Sequence, residues 1–285
     1  LYRLKYGGAI TNFCLIAYDN VSRQQRRSGR LPHLVIRGLI LIIAANWKMN
    51  PGLAEAGALA SSYSAVRFQN VIRIVFPPHP YLVQMSVLLG DSGILLGGQD
   101  CHDQADGAHT GDVSGDMLAA CGASIVLLGH SERRSAHGET DDLVAAKARR
   151  ALDAGMSVMI CVGETLDQRQ AGNAESVVTS QLAGSIPKGV EADHLVVAYE
   201  PVWAIGTGKV ASEAEISAMH DAIRAWMTDA GLAKVPLLYG GSVKPDNADA
   251  IFAVDNVDGA LVGGASLNAD DFAAICAAGE RVKPL

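Results

Sequence analysis

The stretch HLVVAYEPVWAIGTGKVASEAE, from His194 to Glu215, decides the fold. Leu195 to Tyr199 is an apolar run of the length of a buried strand, and Pro201 cannot extend a ladder because it lacks an N–H. Glu200 is thereby placed at the strand's C-terminal end. Gly206 and Gly208 relieve the steric limits on the loop that follows. Ser212 and Glu215 then form an S-x-x-E capping box that opens a helix. The order is strand, carboxylate, mobile loop, helix.

The same alternation runs through the chain on either side. Apolar runs occur at Leu39 to Ala45, Val71 to Phe76, Ile94 to Gly97, Ile125 to Leu128, Val158 to Val162, Leu195 to Tyr199, Val235 to Tyr239 and Val257 to Val262. Between them, apolar residues recur at helical spacing. Ile216, Met219, Ile223 and Met227 form one stripe closed by Gly231, and Leu143, Val144, Ala151 and Leu152 form another closed by Gly155. Asn268 is positioned to cap a last helix carrying Phe272 and Ile275. Eight repeats of strand and helix predict an α/β protein with the (β/α)8 TIM-barrel architecture in a single domain. A doubly wound open sheet is the alternative, weakened because no G-x-G-x-x-G follows the first strand.

Composition agrees. Of the 285 residues 49% are hydrophobic and only 5% aromatic, which suits a parallel sheet with an aliphatic core. A net charge of −7 argues against a nucleic-acid binder. No apolar run reaches the roughly 18 residues of a membrane helix. The five cysteines are widely spaced with no C-x-x-C, which points to a reduced, cytoplasmic setting. The eight histidines show no H-x-H or HExxH pairing, so no metal is expected.

Residues 1–37 stand apart, with seven Lys or Arg against the single acid Asp19. An Arg-rich, acid-poor front has the composition of a transit peptide, and GLILIIAA after it that of a secretory signal, although cleavage there would remove the first strand. The expectation is a non-barrel N-terminal extension that is disordered or not native, followed by the barrel domain over 38–285.

In a parallel barrel all strand C-termini share one face, where active sites are built. Collected there are Asn46, Trp47 and Lys48 after the first run, His130 after the fourth and Glu164 after the fifth. Glu200 follows the sixth, Gly240, Gly241 and Ser242 the seventh, and Gly263 and Gly264 the eighth. The last two turns fit a phosphate site made of backbone N–H groups. One such turn is weak, since Gly-Gly more often marks an ordinary turn, but two on successive strands strengthen the reading. His130 precedes SERR, which would begin a helical turn whose free N–H groups favour an uncharged imidazole. Glu200 is the candidate base, and the glycines of the following loop let it close and exclude water.

Seven motifs carry a resemblance: AANWKMN (44–50), GAHTGDVS (107–114), GHSERR (129–134), CVGET (161–165), AYEPVWAIGTGKVAS (198–212), YGGSVKP (239–245) and LVGGASL (261–267). Together they identify the chain as resembling the triosephosphate isomerases from about Leu39 onward, a family whose acid–base tuning and loop closure are general reference cases. The resemblance implies interconversion of dihydroxyacetone phosphate and D-glyceraldehyde 3-phosphate, a step of glycolysis and gluconeogenesis. In that scheme Glu200 is the catalytic base, neutral His130 the electrophile, Lys48 a positive charge for the anionic substrate, and Asn46 a polar contact. Gly206, Ser242, Gly263 and Gly264 hold the phosphate, and no cofactor is required. Glu132 is expected to pair with a nearby cation or to hold the polar network of the site. The loop Gln104 to Gly111 is implied to dock near Asn46 and Lys48 of a second subunit, giving a homodimer. Asp112 stands where many relatives carry Glu. Another phosphosugar barrel isomerase would have no reason to combine NWK, GHSERR and YEPVWAIGTGK. A catalytically inactive barrel kept as a binding protein would have lost Lys48, His130 or Glu200.

Overall fold

The structure is a computed structural model, and it describes residues 40–205 and 210–283. The expectations for residues 1–37 and for Gly206 fall outside those residues.

Eight strands close into a barrel in chain order, each parallel to its neighbours: β1 (Leu41–Asn46), β2 (Val71–Phe76), β3 (Leu95–Gly98), β4 (Ile125–Leu128), β5 (Ser157–Val162), β6 (Leu195–Tyr199), β7 (Leu237–Tyr239) and β8 (Gly259–Val262). Pairing of β1 with β8, Ile42 opposite Gly259, closes the ring. The strands match the apolar runs to within two residues. β7 starts later than the run at Val235 because Pro236 has no N–H to give a ladder. Its carbonyl still accepts from Val197.

The helices are α1 (Leu53–Ala65), α2 (Leu82–Leu88), α3 (Gly115–Ala120), α4 (Ser131–His137), α5 (Asp141–Asp153), α6 (Leu166–Gln170), α7 (Ala174–Ser185), α8 (Glu213–Asp229), α9 (Ala248–Ala253) and α10 (Ala269–Val282). The local signals are in place. Ser212 and Glu215 make both bonds of the capping box on α8, and the Asn268 side chain accepts from two backbone N–H groups of α10. Gly155 and Gly231 lie just past α5 and α8 with positive φ.

Side-chain alternation along the strands divides the core in two. Ile42, Ala44, Ile74, Leu127, Met159, Cys161, Val196, Ala198, Leu238 and Leu261 belong to a cluster that fills the barrel. Leu41, Ile43, Val75, Leu128, Ile160, Val197 and Val262 pack outward beneath the helices with Ile223, Phe252 and Ile275. Both faces of each strand are therefore apolar, which is why the runs read as continuous rather than alternating. The inward parity places Asn46 at the end of β1 and, one step past the other strand ends, reaches Gly163, Glu200, Gly240 and Gly263. A side chain capable of proton transfer and three glycines thus form the uppermost layer of the barrel interior.

Candidate active site

Glu200 is buried at 2% exposure, one residue beyond β6. Its own N–H donates to the Val162 carbonyl at 2.7 Å, and Gly240 N–H donates to Tyr199 O at 2.7 Å, so the backbone is clamped between β5 and β7. Glycines make that clamp possible. A Cβ on Gly240 would lie 2.9 Å from Glu200 Cγ, and one on Gly163 would overlap the Glu200 carbonyl oxygen.

His130 reaches the cavity by a different route. Leu128 faces outward, and simple alternation would send residue 130 outward as well. Gly129, with φ of 66°, takes a left-handed step that turns the chain. His130 then serves as the N-cap of α4, its Nδ1 accepting from Glu132 N–H at 3.2 Å, as the SERR motif predicts. A ring nitrogen that accepts an amide proton carries none itself, so the proton is on Nε2, 2.9 Å from Glu200 Oε1. The second carboxylate oxygen accepts from Ser131 N–H at 3.0 Å.

Electrostatics couple the pair. Burial alone would push the Glu200 carboxyl up, but the His130 charge and hydrogen bond, with the Ser131 amide and the Cys161 thiol, hold it below the usual carboxylate range. Burial pushes the His130 imidazole down, whereas the Glu200 charge and hydrogen bond outweigh burial and raise it while the two are in contact. Separating them withdraws that support and leaves burial, together with the helix amide at Nδ1, favouring the neutral ring. Beneath them the Cys161 thiol is kept protonated by burial and by the Glu200 charge.

Lys48 follows β1 with φ of 53°, an unusual conformation for a non-glycine residue. Its backbone is pinned from both sides: Lys48 N–H donates to Asn46 Oδ1 at 3.0 Å, and Gln99 Nε2 donates to Lys48 O at 2.8 Å. The ammonium pairs with Glu132 Oε1 at 2.5 Å, the cation expected for that acid.

Asn46, Lys48, His130, Glu200, Ser242, Gly263 and Gly264 all line one cavity of about 830 Å³. Along the same cavity, β8 gives way to the short 3₁₀ turn Gly264–Leu267, where Ser266 N–H and Oγ both bond Gly263 O. Nothing lies within 4 Å of a Cβ built on Gly264, so its backbone is open to a ligand.

One contributor was noted in the sequence only as a strand end. Glu164, fully buried after β5, accepts from Tyr199 OH at 3.1 Å, Arg169 at 3.0 Å and Trp203 Nε1 at 2.8 Å. It anchors the 3₁₀ turn Val202–Ala204 from which the glycine-tipped loop departs. An acid ending a buried strand five residues before Arg169 was the available signal, but its partners come from three elements, β6, α6 and the turn Val202–Ala204.

A closed parallel barrel with a carboxylate–imidazole pair and an ammonium facing two glycine-rich turns defines a (β/α)8 enzyme that moves protons on a small anionic substrate. Comparison with known proteins narrows this. The family profile for triosephosphate isomerase matches residues 41–279. The chain is 51% identical over 244 residues to the triosephosphate isomerase of Ruegeria pomeroyi, covering 84% of this chain and 97% of that one. It is 50% identical over 240 residues to that of Caulobacter vibrioides, covering 82% and 94%. A solved triosephosphate isomerase from Bartonella henselae superposes with a TM-score of 0.78 at 42% identity, covering 84% and 98% of the two chains. The chain belongs to the triosephosphate isomerase family.

Proposed function

We propose that this chain interconverts dihydroxyacetone phosphate and D-glyceraldehyde 3-phosphate, the isomerase step of glycolysis and gluconeogenesis, with Glu200 as base and His130 as electrophile. The observation that carries the assignment of roles is the convergence of Glu200, Nε2-protonated His130 and Lys48 on one cavity with the Gly263–Gly264 turn. Substrate binds with its phosphate at the backbone of Gly263, Gly264 and Gly206 and at Ser242, and its carbonyl oxygen enters between His130 Nε2 and Glu200. The carboxylate leaves His130 and Ser131 N–H and takes a proton from the carbon beside the carbonyl. His130 Nε2–H donates to the oxygen as charge develops there, and Lys48 and Asn46 stabilise the enediolate. Glu200 returns the carbon proton to the neighbouring carbon while His130 carries the hydroxyl proton from one enediolate oxygen to the other, so the adjacent hydroxyl becomes the new carbonyl and atoms balance without an oxidant or a cofactor. Closure of the glycine-tipped loop excludes water from the enediolate.

A homodimer is part of the same proposal. Gln104 to Gly111 is fully exposed. A second cavity of about 420 Å³ lies beside Asn46 and Lys48, bordered by His79, Gln99 and Arg133, with Met49 94% exposed at its edge. The arm of one copy is proposed to seat in this cavity of another, and an active monomer in light scattering at micromolar concentration would exclude the pairing. The cytoplasm is the proposed compartment, in keeping with the unpaired thiols of Cys101, Cys121, Cys161 and Cys276.

The direct test is a coupled isomerase assay on the purified chain beside Glu200→Asp. Shortening the base is expected to lower kcat by about 10²-fold or more with a smaller change in KM, because the carboxylate is withdrawn by about one bond length from the carbon acid. An inactive folded wild-type protein would overturn the assignment.

A further inference from the structure

The turn after β8 is held from behind by a residue that lines neither cavity. Tyr63 lies buried in the last turn of α1, and its hydroxyl donates to the backbone carbonyl of Ser266, 203 positions away in the chain. Burial raises the phenol's pKa, so the oxygen keeps its proton and stays a donor. The ring is fixed on two sides. It stacks on Phe272 of α10, with centroids 4.4 Å apart and 20° between the planes, and meets Trp47 edge-on at 6.2 Å. The backbone beneath it is fixed as well, because Arg73 on β2 donates to Tyr63 O at 2.6 Å.

The residue that Tyr63 holds is the one that orients the glycines. Ser266 N–H donates to Gly263 O at 2.8 Å and Ser266 Oγ does so at 2.6 Å. A trans peptide is planar, so fixing Gly263 O also fixes the Gly264 N–H that points the opposite way. Gly264 lines the cavity, and nothing stands within 4 Å of a Cβ built on it. A continuous set of bonds therefore runs from α1 through Ser266 to a backbone donor at the cavity wall. None of these bonds involves Glu200, His130 or the Lys48 ammonium.

We propose that Tyr63 is a positioning residue for phosphate recognition: from outside the active site its hydroxyl holds the turn from Gly263 to Leu267 in the orientation that presents the Gly264 N–H to the phosphate of the substrate. The inference rests on the assignment of that turn to the phosphate. Without the hydroxyl the turn samples other orientations, and a phosphate must select the competent one out of a mixture. The cost falls on ligands that carry a phosphate. Proton transfer at the carbonyl end is left as it was.

The test is Tyr63→Phe in the full chain, which keeps the ring and both aromatic contacts and deletes only the hydroxyl. Three quantities are measured: the competitive inhibition constant of inorganic phosphate, kcat/KM with glyceraldehyde 3-phosphate, and kcat/KM with D-glyceraldehyde, which has no phosphate, followed by NMR. The phosphate constant is expected to rise about fivefold, the population shift that one hydrogen bond of ordinary net strength controls. Turnover of the phosphorylated substrate falls by at least the same factor, and that of D-glyceraldehyde stays within about twofold of wild type. Ser266→Ala, which removes the Oγ link of the same set of bonds, is expected to move the phosphate constant in the same direction, and it carries the test if Tyr63→Phe does not fold. An unchanged phosphate constant in the folded variant, or equal losses on the two substrates, would overturn the inference and leave the assignment of the turn standing. A wild-type protein that phosphate does not inhibit competitively would overturn that assignment and the inference with it.

Discussion

Gly163→Ala tests whether the clamp on Glu200 sets its catalytic position. Gly163 has no catalytic side chain, yet a Cβ there would be driven into the Glu200 carbonyl oxygen. A Cβ essentially never comes within 3.0 Å of such an atom, so the end of β6 must retreat. The retreat is about 1 Å, and a misplacement of that size costs about 10²-fold in rate. That corresponds to about 2.7 kcal/mol in the barrel's hold on the transition state. The displacement cannot be absorbed sideways. Glu200 N–H is bound to Val162 O, Tyr199 O is bound to Gly240 N–H, and the Gly163 carbonyl is itself held by Gln181 Nε2 at 3.1 Å. The turn at Gly263 and Gly264, which the proposed function assigns to the phosphate, follows β8 rather than β6 and makes none of these contacts. In the coupled assay kcat is therefore expected to fall about 10²-fold, while inorganic phosphate remains a competitive inhibitor with unchanged affinity. A folded Gly163→Ala protein with wild-type kcat would refute the reasoning, as would a selective loss of phosphate affinity.

Two further outcomes follow from particular residues. Lys48 occupies the left-handed region, which costs a side-chain-bearing residue about 1 kcal/mol that glycine avoids. Lys48→Gly should therefore be about 1 kcal/mol more stable than Lys48→Ala in urea titration, with both losing activity through the missing ammonium; equal midpoints would refute the strain. His220, buried with Nδ1 donating to Asn256 O at 3.0 Å, has its pKa pushed by burial down to about 4 from 6.5. The unfolded chain thus binds a proton that the folded one refuses, so the neutral residue's contribution is intact above pH 6.5 and is lost as pH falls toward 4. Between pH 8 and 5 this removes about 2 kcal/mol. His130, raised by Glu200, acts with the opposite sign, so the readout is the difference from His220→Gln, whose stability should fall about 2 kcal/mol less over that interval; parallel curves would refute it.

Local patterns in the chain were sufficient for the barrel. Eight apolar runs, the Ser212–Glu215 capping box, the Asn268 cap and the glycine stops each depend on neighbours a few residues away, so their physics is written along the sequence. The mouth layer was legible for the same reason, because strand parity carries Asn46 and Glu200 inward from β1 and β6. Tertiary structure decided the contacts between loops. His130 enters the cavity only because Gly129 breaks the alternation, and its bond to Glu200 joins residues 70 positions apart on non-adjacent strand ends. Glu164 gained its role from donors on β6, α6 and the turn after Pro201.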